Sequence, residues 1–406
     1  MPKRRVVITG LGVISALGRD RVEYWASLSR GIPGIGPLEA VDRSRLRFHN
    51  AAEVRGYRME DYFDDDRAPL LDRFAQFGLI AAREAILLSG IEWTPNLRER
   101  TAIVTGTAVG GQSTEDEAFW DLYHLNRPRT NPLSIPRIMA NAVTSHISME
   151  YGFTGPSFTV STACSSANHA IGLAYWMVRD GTVDVAVAGG SEAPMSYANL
   201  KAWEAMRVVS PDTCRPFSKG RSGIILGEGG GMLVLECMDA ARARGATIYG
   251  EIAGFGMSSD AHHITQPNPE GAGRAVKAAL DDGELRPEMI GYINAHGTGT
   301  QSNDPMETIA IRNIFGKHAD ELAVSSTKSM HGHALGAAGA LEAIATILAL
   351  QNGILPPTAN FIEPDPACNL DVIPNEPRKA SCEYALSHSF AFGGLNAVLA
   401  FRRAEP

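Results

Sequence analysis

The stretch Thr162-Ala163-Cys164-Ser165-Ser166 sets a thiol among small residues, after the extended run Phe158-Thr159-Val160 and before a helix-like run from Ala167 to Arg179. A cysteine at such a strand-to-helix turn faces the positive end of the helix dipole, which favours thiolate over thiol. A free thiol has a pKa near about 8.5, and settings of this kind lower it to roughly 3.5–7.5. Cys164 is therefore expected to be a nucleophile. The competing reading is a small buried cysteine that packs a helix start.

Two distant segments favour the nucleophile. In Tyr292-Ile293-Asn294-Ala295-His296-Gly297-Thr298-Gly299-Thr300 an apolar strand runs into a glycine-rich turn, with His296 at the strand end. In Ser325-Ser326-Thr327-Lys328-Ser329-Met330-His331-Gly332-His333 a loop of ionisable groups follows Leu322-Ala323-Val324 and precedes a Gly/Ala-rich helix from about Gly336 to Leu350. Open α/β sheets collect ligands where strands end and helices begin. Three such ends carrying Cys, His and His suggest one pocket. His296 also has a reading as a hydrogen-bonded structural residue. His331 and His333 could form half a metal site, but no Cys or carboxylate cluster completes a zinc set, so no metal is expected. His262 and His263 read as loop residues.

The chain has 406 residues, 44% hydrophobic and 20% charged, which suits a soluble globular protein with room for two domain-sized halves. Its five cysteines show neither CxxC nor regular spacing, which argues against a disulfide framework and for a reducing compartment. Lys3-Arg4-Arg5 before an apolar stretch to Leu17 superficially resembles a signal peptide. Glycines at 10, 12 and 18 and the lack of a small-residue cleavage site read instead as strand and turn. The most apolar helix candidate, Leu335 to Leu350, is short for a bilayer and contains Glu342. A cytoplasmic protein without a membrane partner is expected. The net charge of −8 disfavours nucleic acid.

Strand-like runs at Val6–Thr9, Ala102–Gly106, Val183–Gly189, Gly231–Leu235, Gly250–Phe255, Ile290–Asn294, Leu322–Ser325, Tyr384–Ser389 and Asn396–Phe401 alternate with helix-like segments such as Arg73–Ser89, Pro194–Met206 and Gly273–Asp281. This alternation predicts an α/β class. The helices after Cys164 and after Gly336 are both rich in small residues and both end at a glycine, Gly181 and Gly353. That suggests two related halves, 1–248 and 249–406. From 115 to 147 prolines 128, 132 and 136 interrupt the pattern, so an irregular cap is expected.

The segments around Cys164, His296, Lys328 and His333, with the tail Ser389-Phe390-Ala391-Phe392-Gly393-Gly394-Leu395-Asn396, resemble the β-ketoacyl-acyl-carrier-protein synthases, in particular the elongating synthase II type. The resemblance runs from Val6-Val7-Ile8-Thr9-Gly10 to Asn396-Ala397-Val398. It implies a thiolase-like fold of two βαβ-rich halves in five α-β-α-β-α layers, and a homodimer across the strand near Val183–Gly189. It implies acyl transfer to Cys164 and decarboxylative condensation with malonyl-acyl-carrier protein in fatty acid elongation. His296 and His333 would bind the malonyl thioester oxygen, and the N–H groups of Cys164 and Phe392 the acyl carbonyl. Lys328 and Glu342 would support the network, Phe392 would gate, Thr298 and Thr300 would hold the pantetheine arm, and Val109 and Phe390 would line the acyl channel. The phosphopantetheine arrives on the carrier protein, so no bound cofactor is implied.

The sequence departs from the family at Ala391, where glycine is usual. It departs again at His388, which replaces an asparagine beside a cation site that also involves Asn294, Glu342 and Ser387, so the resemblance does not carry the cation over. Pro69, Leu70 and Leu71 replace basic residues that face the carrier protein, which leaves Arg127, Arg129, Arg137 and Arg207 as docking candidates, Arg129 and Arg207 foremost. A specialised nodulation-, polyene- or polyketide-type synthase is the main alternative. A degradative thiolase would pair a second catalytic cysteine with one histidine, and a non-catalytic chain-length partner would lack the nucleophile. A dinucleotide-binding oxidoreductase fits poorly, because Ser15 stands where the third glycine of the motif at Gly10 would be.

Overall fold

The computed structural model describes residues 3–405. Ten strands form the main sheet: β1 (Val6–Ser15), β2 (Thr101–Gly106), β3 (Ser157–Val160), β4 (Val185–Glu192), β5 (Gly229–Cys237), β6 (Gly250–Ser259), β7 (Ile290–Asn294), β8 (Ala323–Ser325), β9 (Tyr384–Ala391) and β10 (Leu395–Arg403). Their spatial order is β8-β7-β9-β10-β6-β1-β5-β4-β2-β3. Each strand of the first half thus has a counterpart five strands later. The pairing senses repeat too: β2 is parallel to β3 and β4, as β7 is to β8 and β9, while β4–β5 and β9–β10 are antiparallel. Within the main sheet the halves meet at the antiparallel pairs Val6–Ile252, Val7–Glu251 and Ile8–Gly250.

Four helices make the layers. Helix α1 (Arg73–Ser89) covers β1, β4 and β5 from outside, and α3 (Pro269–Asp282) covers β6 and β10. Helices α2 (Ser166–Arg179) and α4 (Ala338–Asn352) touch each other and strands of both halves, so they form the central layer. Every residue of α4 from Ala338 to Leu350 is buried. A helix enclosed by sheet on both sides has no wet face, which explains its uniform apolarity. The 18-residue stretch Leu335–Asn352 is in fact long and apolar enough to cross a bilayer, contrary to the length-based expectation, but 89% of it is buried in this core.

Gly10 and Gly12 fall on β1 where α1 crosses it. A Cβ at Gly10 would lie 2.0 Å from the Ala85 carbonyl oxygen, and one at Gly12 would lie 1.9 Å from that of Ala81. The glycines that look like a nucleotide motif are therefore a helix-on-strand contact, and β1 runs straight through them to Ser15.

Two expectations are corrected. The cap is more helical than its prolines suggest: Gln112–Phe119, Ser134–Ile138 and Ala142–Tyr151 are α-helices, and Pro136 lies in the first turn of its helix, where no N–H is required. The strand near Val183–Gly189 cannot pair with a second subunit, because β4 is bonded on both sides, to β2 and β5. The free edge of the first half is β3.

Replacing Gly12 with Ala is expected to destabilise the fold by about 1–3 kcal/mol through overpacking, read from the denaturant midpoint. An unchanged midpoint would show that α1 can retreat from β1.

Candidate active site

β3 ends one residue before Ser161, and a single 3-10 turn, Ala163–Ser165, leads into α2. Ala163 holds φ +52° there. Such a backbone costs on the order of 1–3 kcal/mol in a non-glycine residue and turns the next side chain, Cys164, inward. The second half repeats the device: Leu335 has φ +43° at the start of the Leu335–Ala337 turn that opens α4. Gly336 stands there in the place of the cysteine, so the first half supplies the thiol. The second half supplies the imidazoles, His296 two residues past β7 and His333 eight residues past β8, beyond the short helix Lys328–His331.

These three residues meet. The ligand atoms of Cys164, His296 and His333 lie within 4.8 Å of one another. His333 Nδ1 accepts the Leu335 N–H at 3.2 Å, so the ring proton is on Nε2, which donates to Cys164 Sγ at 3.1 Å. The His296 ring stands nearly perpendicular to that of His333, at 85° and 5.5 Å between centroids. His296 Nδ1 is buried without a protein partner. No fourth thiol or carboxylate joins the trio among the described residues. His331 of the His-x-His pair turns away, with its Nε2 3.0 Å from Thr327 Oγ1.

Behind the trio Lys328 Nζ donates to Glu342 Oε1, both side chains being completely enclosed. Burial pushes the Glu342 carboxyl up to about 7 against the pull of Lys328. Burial also holds His296 and His333 well below the ordinary histidine range, and the Lys328 charge lowers both further. Both imidazoles are therefore neutral and can donate hydrogen bonds without carrying charge.

The thiol overturns one expectation. Burial drives Cys164 up to about 11, while Lys328 and the N–H groups of Phe392 and Cys164 itself favour the anion without outweighing it. The helix start does not compensate for the loss of water. Those two N–H groups nevertheless face the sulfur, where an acyl carbonyl oxygen would develop charge.

A second carboxylate, which the sequence analysis did not single out, fixes the His296 turn. Glu307 accepts the N–H of His296 and of Gly297, each at 2.8 Å, and lies 3.1 Å from His388 Nδ1. Burial raises this carboxyl, but His388 and the two backbone donors hold it below its usual range. Glu192, at the end of β4, does similar work for the 107–109 turn, accepting from Thr107 Oγ1 at 2.8 Å and from the N–H of Ala108 at 2.6 Å and Gly336 at 2.9 Å. The signal for Glu307 was present: Asn303, Asp304 and Glu307 are polar residues on one buried face of a helix just after the His296 loop.

The trio opens on a cavity lined by Thr298, Thr300, Phe390, Phe392 and Trp203, among others. Thr298 and Thr300 share a hydroxyl contact of 2.9 Å. The Phe392 ring stacks on Trp203 at 6.1 Å. Its loop is tied to residues 260–267 through Gly393 N–H to Ile264 O, 2.7 Å, and Asp260 N–H to Gly394 O, 2.8 Å. Positive φ falls on Gly393 and Gly394 and not on Ala391, which ends β9 in an ordinary pair with Leu395, so alanine costs nothing at that position. Val109 does not line this cavity, because Glu192 holds its N–H in the adjacent turn at 3.2 Å. Arg207 is exposed next to the lining residue Val208, whereas Arg129 is exposed on the cap, apart from the cavity.

The Beta-ketoacyl synthase N-terminal domain matches residues 3–241, and the Beta-ketoacyl synthase C-terminal domain matches residues 249–362. The chain belongs to the β-ketoacyl synthase family. It is 46% identical over 400 residues to Nodulation protein E of Rhizobium sp. (strain N33), covering 98% of this chain and 99% of that one. It is 40% identical over 409 residues to 3-oxoacyl-[acyl-carrier-protein] synthase 2 of Staphylococcus aureus (strain COL), covering 99% of each. Among solved structures, the ishigamide ketosynthase/chain length factor aligns with a TM-score of 0.95 at 37% identity, covering 99% of this chain and 100% of that one. The thiolase-like architecture and the condensing-enzyme class expected from the motifs are those of the family.

Because burial raises the Cys164 thiol, its alkylation by iodoacetamide should keep accelerating above neutral pH toward about 11. A rate that levels off below neutrality would show a thiolate already formed in the resting protein.

Proposed function

We propose that Cys164 takes an acyl chain from an acyl-carrier protein, and that decarboxylation of malonyl-carrier protein beside His296 and His333 supplies the carbanion that attacks it. In the first step the sulfur displaces the carrier thiol, which leaves with a proton. In the second, malonyl loses carbon dioxide, the new carbon–carbon bond forms at the acyl carbonyl, and the Cys164 sulfur departs. Splitting the condensation this way replaces one hard step with two easier ones. The observation that carries the reading is the neutral His333, whose Nε2–H is aimed at the sulfur. Once the sulfur is acylated that donor is free for the malonyl thioester oxygen, with His296 as the second. Fixed donors of this type are worth about 2.7–4 kcal/mol each.

The full-length likeness to a 3-oxoacyl-[acyl-carrier-protein] synthase supports elongation on a carrier protein. That reading places the reaction in the cytoplasm and needs no bound cofactor, since the reactive pantetheine arrives with its carrier. Thr298 and Thr300 would meet the pantetheine arm, and Phe390 and Phe392 the entering chain. The likeness to Nodulation protein E keeps a dedicated pathway as the second reading. A homodimer would form along β3, where Phe158 is 38% exposed, with the cap aromatics Trp120 and Tyr123, 51% and 79% exposed, packed against the partner.

The test is intact-protein mass spectrometry after incubation with acyl-carrier proteins, followed by malonyl-carrier protein. His333→Ala is expected to retain the acyl adduct on Cys164 and to lose condensation by about 10²–10³-fold. Condensation at the unaltered rate, or an adduct on another residue, would refute the assignment.

A further inference from the structure

We propose that Arg221, a buried arginine outside the Cys–His–His trio, is the positioning residue of the Thr298–Thr300 turn and so sets how tightly the protein holds thioesters that carry a pantetheine arm. This rests on the condensing-enzyme reading above and deepens it by assigning the residue that fixes the arm's turn.

The turn does not hold itself. Gly297 and Gly299 have φ +34° and +75°, a backbone that glycine enters and leaves freely. Outside partners fasten it instead. The Gly299 N–H donates to Asp304 at 3.2 Å, and the Gly299 carbonyl accepts the Gly223 N–H at 2.9 Å. The Thr300 carbonyl accepts Arg221 Nε at 3.0 Å, and Gln301 Nε2 donates to the Arg221 carbonyl at 2.6 Å. Three of these four bonds run to the short stretch from Arg221 to Gly223. Thr298 and Thr300, which the turn carries, line the cavity.

Arg221 is itself held from several segments. Its Nη1 donates to Asp365 at 2.5 Å and to the Ser218 carbonyl at 3.2 Å, and its Nε lies 3.9 Å from Asp304. A guanidinium suits this place because its rigid fork serves a carboxylate and two carbonyls at once and never loses its charge. Burial pushes the Asp304 carboxyl up to about 6, against the pull of the Phe217 N–H, Asn303 and Arg221. The chain after Arg221 goes on to the catalytic imidazole. The Ile225 carbonyl accepts the His333 N–H at 2.7 Å, and the Gly227 N–H donates to the His333 carbonyl at 2.9 Å. That end is pinned separately by Ala52, whose N–H donates to the Leu226 carbonyl at 2.9 Å and whose carbonyl accepts the Glu228 N–H at 3.1 Å. Loosening Arg221 therefore frees the threonine turn and leaves His333 clasped. Arm affinity falls and the chemistry at Cys164 stays.

The experiment compares the intact protein with Arg221→Lys, which keeps the charge and loses the fork, and with Asp365→Asn, which weakens the grip on the guanidinium from its more exposed side. Cys164 acylation is followed by mass spectrometry from the same acyl group on pantetheine and on ethanethiol, which has no arm. Alkylation of Cys164 by iodoacetamide reports on the thiol, and affinity for an unreactive acyl-pantetheine analogue with an amide in place of the thioester is measured by NMR. In Arg221→Lys the KM for acyl-pantetheine and the Kd of the amide are expected to rise about five- to tenfold, with kcat, the ethanethiol-donor rate and alkylation unchanged. Asp365→Asn moves the same two quantities in the same direction, and it carries the comparison if Arg221→Lys does not fold. Equal losses with both donors and in alkylation, unchanged amide affinity, or no binding of the amide to the unaltered protein would overturn the proposal. Failure of the unaltered protein to be acylated by either donor would instead strike the condensing-enzyme reading, and the amide titration would still decide the role of Arg221.

Discussion

The structure depends on the contact between α2 and α4, the first mostly buried and the second with no wet face, clamped between the half-sheets. Because each helix starts from a corresponding strand end, packing them together forces those ends to the same place. Cys164 opens one helix and His333 shortly precedes the other, 169 residues away in sequence yet in hydrogen-bond contact. The duplication thus makes the site: one half keeps the thiol at the turn, the other puts glycine there and adds imidazoles on the strand ends nearby.

Enclosure then sets the chemistry. In a dry cavity a single fixed charge is felt strongly, and Lys328 is fully buried among Cys164, His296, His331 and His333. It disfavours imidazolium and pulls toward thiolate, although burial still keeps the Cys164 thiol protonated at rest. Glu342 balances it. Removing either partner would leave an unpaired buried charge, typically about 3–5 kcal/mol in stability. The result is a site in which donors are neutral and already oriented before substrate arrives.

Much of this was legible in the sequence. The strand-to-helix turn at Cys164, His296 past a strand end and the paired small-residue helices each follow from local rules that the fold obeys. Helix Arg73–Ser89 begins and ends where its pattern places it. What escaped depends on distance. The Cys164 thiol looked acidic because the helix dipole is a local feature, whereas the burial that raises it comes from both halves. Glu307 and Glu192 went unread because the backbone N–H groups they collect, such as those of Gly297 and Gly336, come within reach only in the folded chain. The inner position of β4 could not be read either, because strand order is a property of the closed sheet.

The most direct test of the central claim is nitrogen NMR of histidine-labelled protein with His333 assigned by substitution. The account predicts a neutral ring with the proton on Nε2, bare Nδ1, and no titration through the ordinary histidine range. An imidazolium at neutral pH, or a proton on Nδ1, would contradict it.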